Sequence, residues 1–111
     1  MDSLELVKVI KKAAEDKKAT NIVVQDLRGK SDICSYQIVC SGSNDRQTQA
    51  IVNNIETVVK NEGGGRPSVV EGKQAGHWIL VDYINVIVHV FQDEMRDFYA
   101  LEDIWPTAPK V

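Results

Sequence analysis

Apolar residues recur at helical spacing near the start of the chain. Between residues 4 and 18 they share one face of a helix, and lysines occupy the opposite face. The apolar positions are Leu4, Val7, Ile10, Ala13 and Ala14. Ser3 directly precedes this stretch and is predicted to be its N-cap. The pattern therefore predicts a first amphipathic helix over 4–18.

A second helical pattern begins after a small polar turn. Asn44 followed by Gln47 is a capping-box pattern, with Ser43 as an alternative N-cap. The apolar stripe that follows consists of Ile51, Ile55, Val58 and Val59. Three consecutive glycines, 63–65, can adopt positive φ and end the helix.

The remaining apolar runs are short and predict strands. They span residues 21–27, 36–41, 66–71, 77–83 and 86–91, and the brief turn between the last two predicts an antiparallel hairpin. A short helix over 93–99, a turn over 101–104 and a flexible tail over 106–111 complete the chain. The order α-β-β-α-β-β-β-α predicts a single α/β (α+β) domain over 1–105, with a mixed five-stranded sheet flanked by helices.

Composition fits one ordinary globular domain. The 111 residues are 43% hydrophobic and 26% charged, which is unlike a disordered chain. The longest apolar stretch, 78–91, is interrupted by Asp82, Asn85 and His89, and is too short and too polar to cross a bilayer. The N-terminal residues contain no continuous apolar segment typical of export signals. We therefore expect a cytoplasmic protein.

Charge is unevenly distributed and bears on the kind of partner. The net charge of −3 argues against non-specific nucleic-acid binding, which usually needs a basic surface. Residues 1–70 carry ten Lys/Arg and nine Asp/Glu, whereas residues 71–111 carry three and seven. The acidic C-terminal part favours a basic protein as partner.

The two cysteines suit neither a disulfide nor a metal site. Cys34 and Cys40 lie around one predicted strand, and an extended chain between them separates their Cα atoms by roughly 20 Å. A disulfide needs a Cα–Cα distance of less than about 7 Å. Two cysteines without a matching pair of histidines also make a poor zinc site. We expect free thiols and no metal or other cofactor.

The turn Ser41-Gly42-Ser43 lies between a predicted strand and a helix, as phosphate-binding turns do. Nucleotidyltransferases of this kind also need carboxylates spaced Asp-x-Asp to hold Mg²⁺, and none follows. Asp45 would repel a phosphate, although Arg46 partly offsets this charge. A tight turn with an N-cap is the favoured interpretation, and a nucleotidyltransferase using Gly42-Ser43 remains the alternative.

No other group of residues predicts catalysis. His77 and His89 are the two histidines, and His89 lies mid-strand on the face of Ile87 and Phe91, which favours a packed, hydrogen-bonded side chain. No Ser/His/Asp or Cys/His set has an informative spacing. We therefore predict that the protein is not an enzyme.

The predicted hairpin carries a more informative pattern. Alternation places Trp78, Leu80 and Asp82 on one face, and Ile79, Val81 and Tyr83 on the other. A tryptophan beside an acid and an exposed apolar residue has the composition of a protein-binding hot spot. A tryptophan at the edge of the core is the competing interpretation, and a structural adaptor for another basic partner would share this pattern.

Ordered motifs over residues 4–105 resemble the ribosomal silencing factor (Iojap) family. They are Ser41-Gly42-Ser43-Asn44-Asp45-Arg46-Gln47, Glu71-Gly72, Trp78, Asp82-Tyr83, Val88-His89-Val90-Phe91, the run from Arg96 to Glu102, and Trp105. The resemblance implies a nucleotidyltransferase-like fold without the catalytic carboxylates. It also implies binding to the large ribosomal subunit through its protein numbered fourteen, which blocks the small subunit and lowers translation when nutrients are scarce. Homodimers are common in this family.

The resemblance also suggests roles for individual residues. Trp78 would anchor the contact with the ribosomal protein, Glu71 and Asp82 would pair with its basic groups, and Leu80 and Tyr83 would extend the patch. A second set of residues is expected to be structural, with a partner contact left open for Asp45 and Arg46. This set consists of Gly42, Asp45, Arg46, Gly72, His89, Tyr99 and Trp105, and Leu101 is expected to help Tyr99 and Trp105 hold the C-terminal segment on the domain.

Two positions depart from the family pattern. The hairpin turn reads Asp82-Tyr83-Ile84-Asn85, where relatives usually have Asp-Tyr-Gly-Asp. Because a β-branched residue is strained at positive φ, we expect Asn85 to take any left-handed position or the turn to shift by one residue. Ser35-Tyr36-Gln37 replaces a common Asp-Tyr-Phe, which weakens any contact predicted near the second strand.

Overall fold

A computed structural model describes residues 1–99 and 108–111, without the side chains of 97–99. Its helices are α1 (Ser3–Asp16), α2 (Asp45–Asn61) and α3 (Asp93–Tyr99). Its strands are β1 (Thr20–Asp26), β2 (Tyr36–Gly42), β3 (Val69–Glu71), β4 (Trp78–Asp82) and β5 (Val86–Gln92). Among the described residues, no helix is long and apolar enough to cross a membrane. The predicted order of elements is confirmed.

The five strands form one mixed sheet in the order β1-β2-β5-β4-β3. The central pair, β2 and β5, is parallel, and the other three pairs are antiparallel. The predicted β4–β5 hairpin is confirmed, with Trp78 opposite Phe91 and Leu80 opposite His89. Helix α2 connects β2 to the β3–β4–β5 meander. Because β5 pairs with β2, the β4–β5 hairpin lies on the opposite side of β2 from β1.

Helices α1 and α2 cover one face of the sheet. Their buried side chains pack against alternate residues of the four longer strands, so a single core lies between helices and sheet. The helical residues of this core are Leu6, Val7, Ile10, Ala13, Ala14, Ile51, Val52, Ile55 and Val59. The helical periodicity identified most of these positions, but Leu4, which was predicted on the apolar face, is exposed, and Val52, outside the predicted stripe, is fully buried.

The starts of both helices are capped by side chains. Asp2, not the predicted Ser3, caps α1, since its Oδ1 accepts a hydrogen bond from the Glu5 amide at 2.8 Å. Asn44 caps α2 as predicted, and its Oδ1 accepts from the Gln47 amide at 2.8 Å. The Gln47 side chain also donates to the Lys17 and Lys18 carbonyls, which joins the start of α2 to the end of α1.

Residues 108–111 do not form the predicted flexible tail. The Asp26 amide donates to the Pro109 carbonyl at 2.8 Å, and the Val111 amide donates to the Val24 carbonyl at 2.9 Å. Ala108 packs with Leu27 on the sheet face away from α1 and α2. The free edge of β1 offers unpaired backbone groups, and these residues satisfy them. The predicted turn over 101–104 lies outside the described residues.

The third strand is shorter than predicted. It begins at Val69 instead of residue 66, because Val69 pairs with Asp82, the last residue of β4, and no further residue of β4 remains to pair with 66–68. Both cysteines are free, as predicted, and the structure shows that both are buried. Complete burial raises the pKa of Cys40 to about 12, which leaves it an inert thiol.

Candidate functional site

Strand β4 separates a buried face from a partly exposed one. Ile79 and Val81 are fully buried under the helices, whereas Trp78, Leu80 and Asp82 are half-buried on the opposite face. The predicted alternation along the hairpin is therefore confirmed. The structure brings Trp78, Leu80 and Asp82 together on the side of the sheet that α1 and α2 do not cover.

Strand β3 adds an acidic and an apolar side chain to this face. Glu71 pairs with Leu80, and Val69 pairs with Asp82, so each pair shares one side of the sheet. Both β3 residues are exposed. A shallow recess of about 260 Å³ lies here and is lined by Glu71, Gly72, Trp78 and Leu80. We refer to Val69, Glu71, Trp78, Leu80 and Asp82 as the hairpin face. Val69 was missed in the sequence, although β3 alternation could have identified it.

Gly72 lines the recess, and its position leaves no room for a side chain. Its φ is +81°, and a Cβ there would stand 2.2 Å from the Trp78 carbonyl oxygen. The following loop is held to α2, since Gln49 Nε2 donates to the Lys73 carbonyl and Lys73 Nζ lies 2.8 Å from Glu56 Oε2. The backbone beside Trp78 is thus fixed by contacts on both sides.

Among the residues that the structure describes, two aromatic side chains contact the Trp78 indole. Its Nε1 hydrogen is donated to His89 Nδ1 at 3.0 Å, and its ring stacks on Phe91 with 5.2 Å between centroids. Burial lowers the pKa of His89 to about 4, so the imidazole is neutral at pH 7 and can accept this hydrogen bond. The expectation of a packed, hydrogen-bonded His89 is confirmed.

Tyr83 does not belong to the hairpin face. It is 8% exposed and packs in the core on the helix side of the sheet. Burial, with a smaller contribution from Glu56, raises the pKa of its hydroxyl. Tyr83 Oη is buried without a hydrogen-bond partner among the described residues. The structure therefore contradicts its placement in an extended patch with Trp78.

The hairpin turn differs from the prediction for Asn85. Ile84 takes the positive φ of +76°, and it is 66% exposed. Asp82 Oδ1 accepts from the Ile84 amide at 2.6 Å, and the Tyr83 carbonyl accepts from the Asn85 amide at 3.0 Å. The bond between Asn85 and Tyr83 closes a tight three-residue turn centred on Ile84, and the bond to Asp82 holds the Ile84 amide in place.

At the start of α2, side chains of the helix itself accept hydrogen bonds from backbone amides. A phosphate-binding turn would leave these amides free to bind the phosphate. Gln47 Oε1 accepts from the Ser43 amide at 2.7 Å, and Asp45 Oδ1 accepts from the Arg46 amide at 2.9 Å. Gly42 lies against Thr48, whose Oγ1 donates to the Gly76 carbonyl at 2.7 Å. Asp45 and Arg46 are exposed. This geometry agrees with a tight turn and a capped helix.

Arg96 attaches α3 to the first two strands. Its guanidinium donates to the Asn21 carbonyl, at an irregularity in β1, and to Ser41 Oγ at 3.0 Å. This contact was not foreseen in the sequence, where Arg96 appeared only within a longer motif. The side chain of Tyr99, and Leu101 and Trp105 entirely, lie outside the described residues. Across residues 1–99 and 108–111, no group of three or more His, Cys, Asp or Glu side chains could hold a metal ion.

Fold and site together define a small α+β protein with a partly exposed tryptophan face and a self-capped turn. The profile of the family "Ribosomal silencing factor during starvation" matches residues 1–111. A ribosomal silencing factor of Bacillus subtilis (strain 168) is 36% identical over 109 residues, covering 98% of this chain and 92% of the relative. One of Halalkalibacterium halodurans is 35% identical over 111 residues, covering 100% and 94%.

A crystal structure from Chromobacterium violaceum has the same fold. It aligns with a TM-score of 0.91 at 32% identity, covering 96% of this chain and 88% of the other. The chain belongs to the ribosomal silencing factor family. The resemblance noted in the sequence is thereby confirmed, and the names of the relatives describe a regulatory rather than an enzymatic role.

Proposed function

We propose that the protein represses translation by binding the large ribosomal subunit through its protein numbered fourteen. Bound there, it would sterically block association with the small subunit and lower translation under nutrient limitation. Family membership supports this role. The observation that carries the site is the half-buried Trp78 beside a recess, flanked by carboxylates on the face of the sheet opposite α1 and α2.

The hairpin face has the chemistry of a contact with a basic protein. Trp78 and Leu80 supply apolar area at its centre, and tryptophan is enriched among the residues that dominate the binding energy of protein interfaces. Glu71 and Asp82 lie on the same side of the sheet and would pair with Lys or Arg of the partner. We leave Tyr83 out of this contact because it lies in the core on the other side.

We propose no catalytic step and no cofactor. The alternative, a nucleotidyltransferase using Gly42-Ser43, would need free amides at the start of α2, and the Ser43 and Arg46 amides are bonded internally. Thermal unfolding with millimolar nucleoside triphosphate and Mg²⁺ tests this alternative directly. A ligand that binds the folded state would raise the melting temperature, and we expect no change. We place the protein in the cytoplasm, and a homodimer stays a prediction.

The test of the proposed function is co-sedimentation with purified ribosomal subunits. We expect the wild-type protein to sediment with large subunits and not with small ones, and the isolated protein numbered fourteen to compete. Trp78→Ala should strongly reduce co-sedimentation with large subunits. Leu4→Ala is the matched control, because Leu4 is an exposed apolar residue on α1, across the sheet from the hairpin face. Absence of the wild-type protein from the large-subunit fraction at moderate salt would contradict the proposal.

A further inference from the structure

The hydrogen bond between Trp78 and His89 joins the candidate contact residue to a buried one. His89 lies diagonally across from Trp78 in the β4–β5 register, directly opposite Leu80, and is 8% exposed. The indole has a single hydrogen-bond donor, Nε1, and the structure directs it to His89 Nδ1. The donor edge of the ring is therefore bound within the protein.

Phe91 restricts the same indole from a second direction. Trp78 and Phe91 are directly opposite in the register, and their rings stack at 23° between planes. His89 and Phe91 also stack, with 6.2 Å between centroids. The three rings form one cluster on two neighbouring strands. Stacking alone leaves an indole free to slide or flip, whereas the directional bond to Nδ1 selects one orientation.

We propose that His89 is a positioning residue for ribosome binding, which fixes the Trp78 indole in its binding orientation through the Nε1–Nδ1 hydrogen bond. This role rests on the proposed function of the hairpin face. Fixing the ring before binding removes rotamer entropy that association would otherwise cost. It also leaves only ring carbons of Trp78 for the partner, which suits an aliphatic or cationic side chain rather than a hydrogen-bond acceptor.

The neutral state of His89 is part of this arrangement. A protonated imidazole donates from both nitrogens and could not accept from the indole. Because Nδ1 accepts, the remaining hydrogen must lie on Nε2. The imidazole ¹⁵N signals of the wild-type protein should accordingly show a neutral ring with its hydrogen on Nε2 at pH 7. A hydrogen on Nδ1 would overturn the proposal without any substitution.

Two variants separate positioning from packing. His89→Leu fills a similar volume without an acceptor, whereas His89→Asn places Oδ1 where Nδ1 lies and keeps the acceptor. In the free protein, we expect the solvent exchange of the Trp78 indole proton to accelerate about tenfold or more in His89→Leu, and to recover in His89→Asn. Trp78→Phe assigns this indole signal against that of Trp105.

Dissociation from large subunits gives the functional measurement. We expect His89→Leu to dissociate about tenfold faster with little change in association, and His89→Asn to behave within about twofold of wild type. If His89→Leu dissociates from large subunits at the wild-type rate, or if both variants dissociate equally faster, the positioning role is overturned. The proposed function would still stand. If the wild-type protein does not bind large subunits, the proposed function fails, and with it the role of His89 in binding, whatever the indole exchange shows.

Discussion

Gly72 approaches Trp78 so closely that a Cβ on it would stand 2.2 Å from the Trp78 carbonyl oxygen. Gly72→Ala must therefore both strain a positive φ and displace the backbone of β4. Gly65 has a similar φ of +78°, and a Cβ on it would meet nothing within 4 Å, so Gly65→Ala isolates the φ cost. We expect losses in unfolding free energy of about 1 kcal/mol for Gly65→Ala and more than about 2 kcal/mol for Gly72→Ala. Denaturant unfolding measures both, and equal losses would contradict the close approach.

Ile84→Gly should stabilise the protein. Ile84 holds φ +76° in the tight turn, and glycine removes that strain at a smaller cost in backbone entropy. We expect a gain of about 1 kcal/mol in unfolding free energy. Ile33→Gly is the control, since Ile33 is also exposed but has no positive φ, and this change should destabilise. A loss of stability in Ile84→Gly would argue against the strained turn.

Tyr83→Phe tests the separation of the two faces. The Tyr83 hydroxyl is buried without a partner among the described residues, so removing it should raise the unfolding free energy by about 1 kcal/mol. Because Tyr83 lies on the helix side, large-subunit binding should not change. Reduced binding by a well-folded Tyr83→Phe protein would return this residue to the contact surface.

Stability should fall as the pH is lowered through the range where free histidine titrates. Burial lowers the pKa of His89 from 6.5 to about 4, so between these values the unfolded chain binds a proton that the folded protein does not. We expect the His89 contribution to fall by about 2 kcal/mol between pH 7 and pH 5. Chemical denaturation of wild type and His89→Asn at both pH values measures this contribution. Subtracting the unfolding free energies of the two proteins cancels the contributions of the other titrating groups. Parallel pH profiles would contradict a buried neutral His89.

Charge and apolar contact on the hairpin face should affect different rate constants. Glu71→Gln and Asp82→Asn remove rim charges, and the second keeps an oxygen to accept from the Ile84 amide. We expect both to slow association with large subunits, most strongly at low salt. Trp78→Ala should instead speed dissociation, at a cost of about 2 kcal/mol or more. Stopped-flow or surface-based kinetics at two salt concentrations separate these effects, and Arg46→Gln serves as an exposed-charge control at the start of α2.

Local pattern was sufficient for the secondary structure of this chain. Helical periodicity identified α1 and α2, and alternation in 78–83 separated the core face of β4 from the hairpin face. The capping pair Asn44 and Gln47 was readable because its members are three residues apart. Alternation also placed Tyr83 and Trp78 on opposite faces of the strand. The prediction that Tyr83 extends the contact patch therefore came from the family resemblance and not from the alternation.

Contacts between distant parts of the chain could not be read in this way. The pairing of residues 108–111 with β1 joins segments more than eighty residues apart, and nothing in the tail itself signals it. Likewise, the orientation of Trp78 depends on His89 in the next strand, and Arg96 reaches Asn21 and Ser41 only because the sheet brings them together. Each of these bonds depends on the register of the whole sheet.

The sequence by itself determined the elements, the core faces and the family, because periodicity, capping and ordered motifs are local properties of the chain. The tertiary structure alone decided which residue of the hairpin turn bears the strain, what covers the β1 edge and how the Trp78 indole is held. The physical reason is that positive φ, edge pairing and side-chain hydrogen bonds are set by competition among partners that only the folded chain brings within reach.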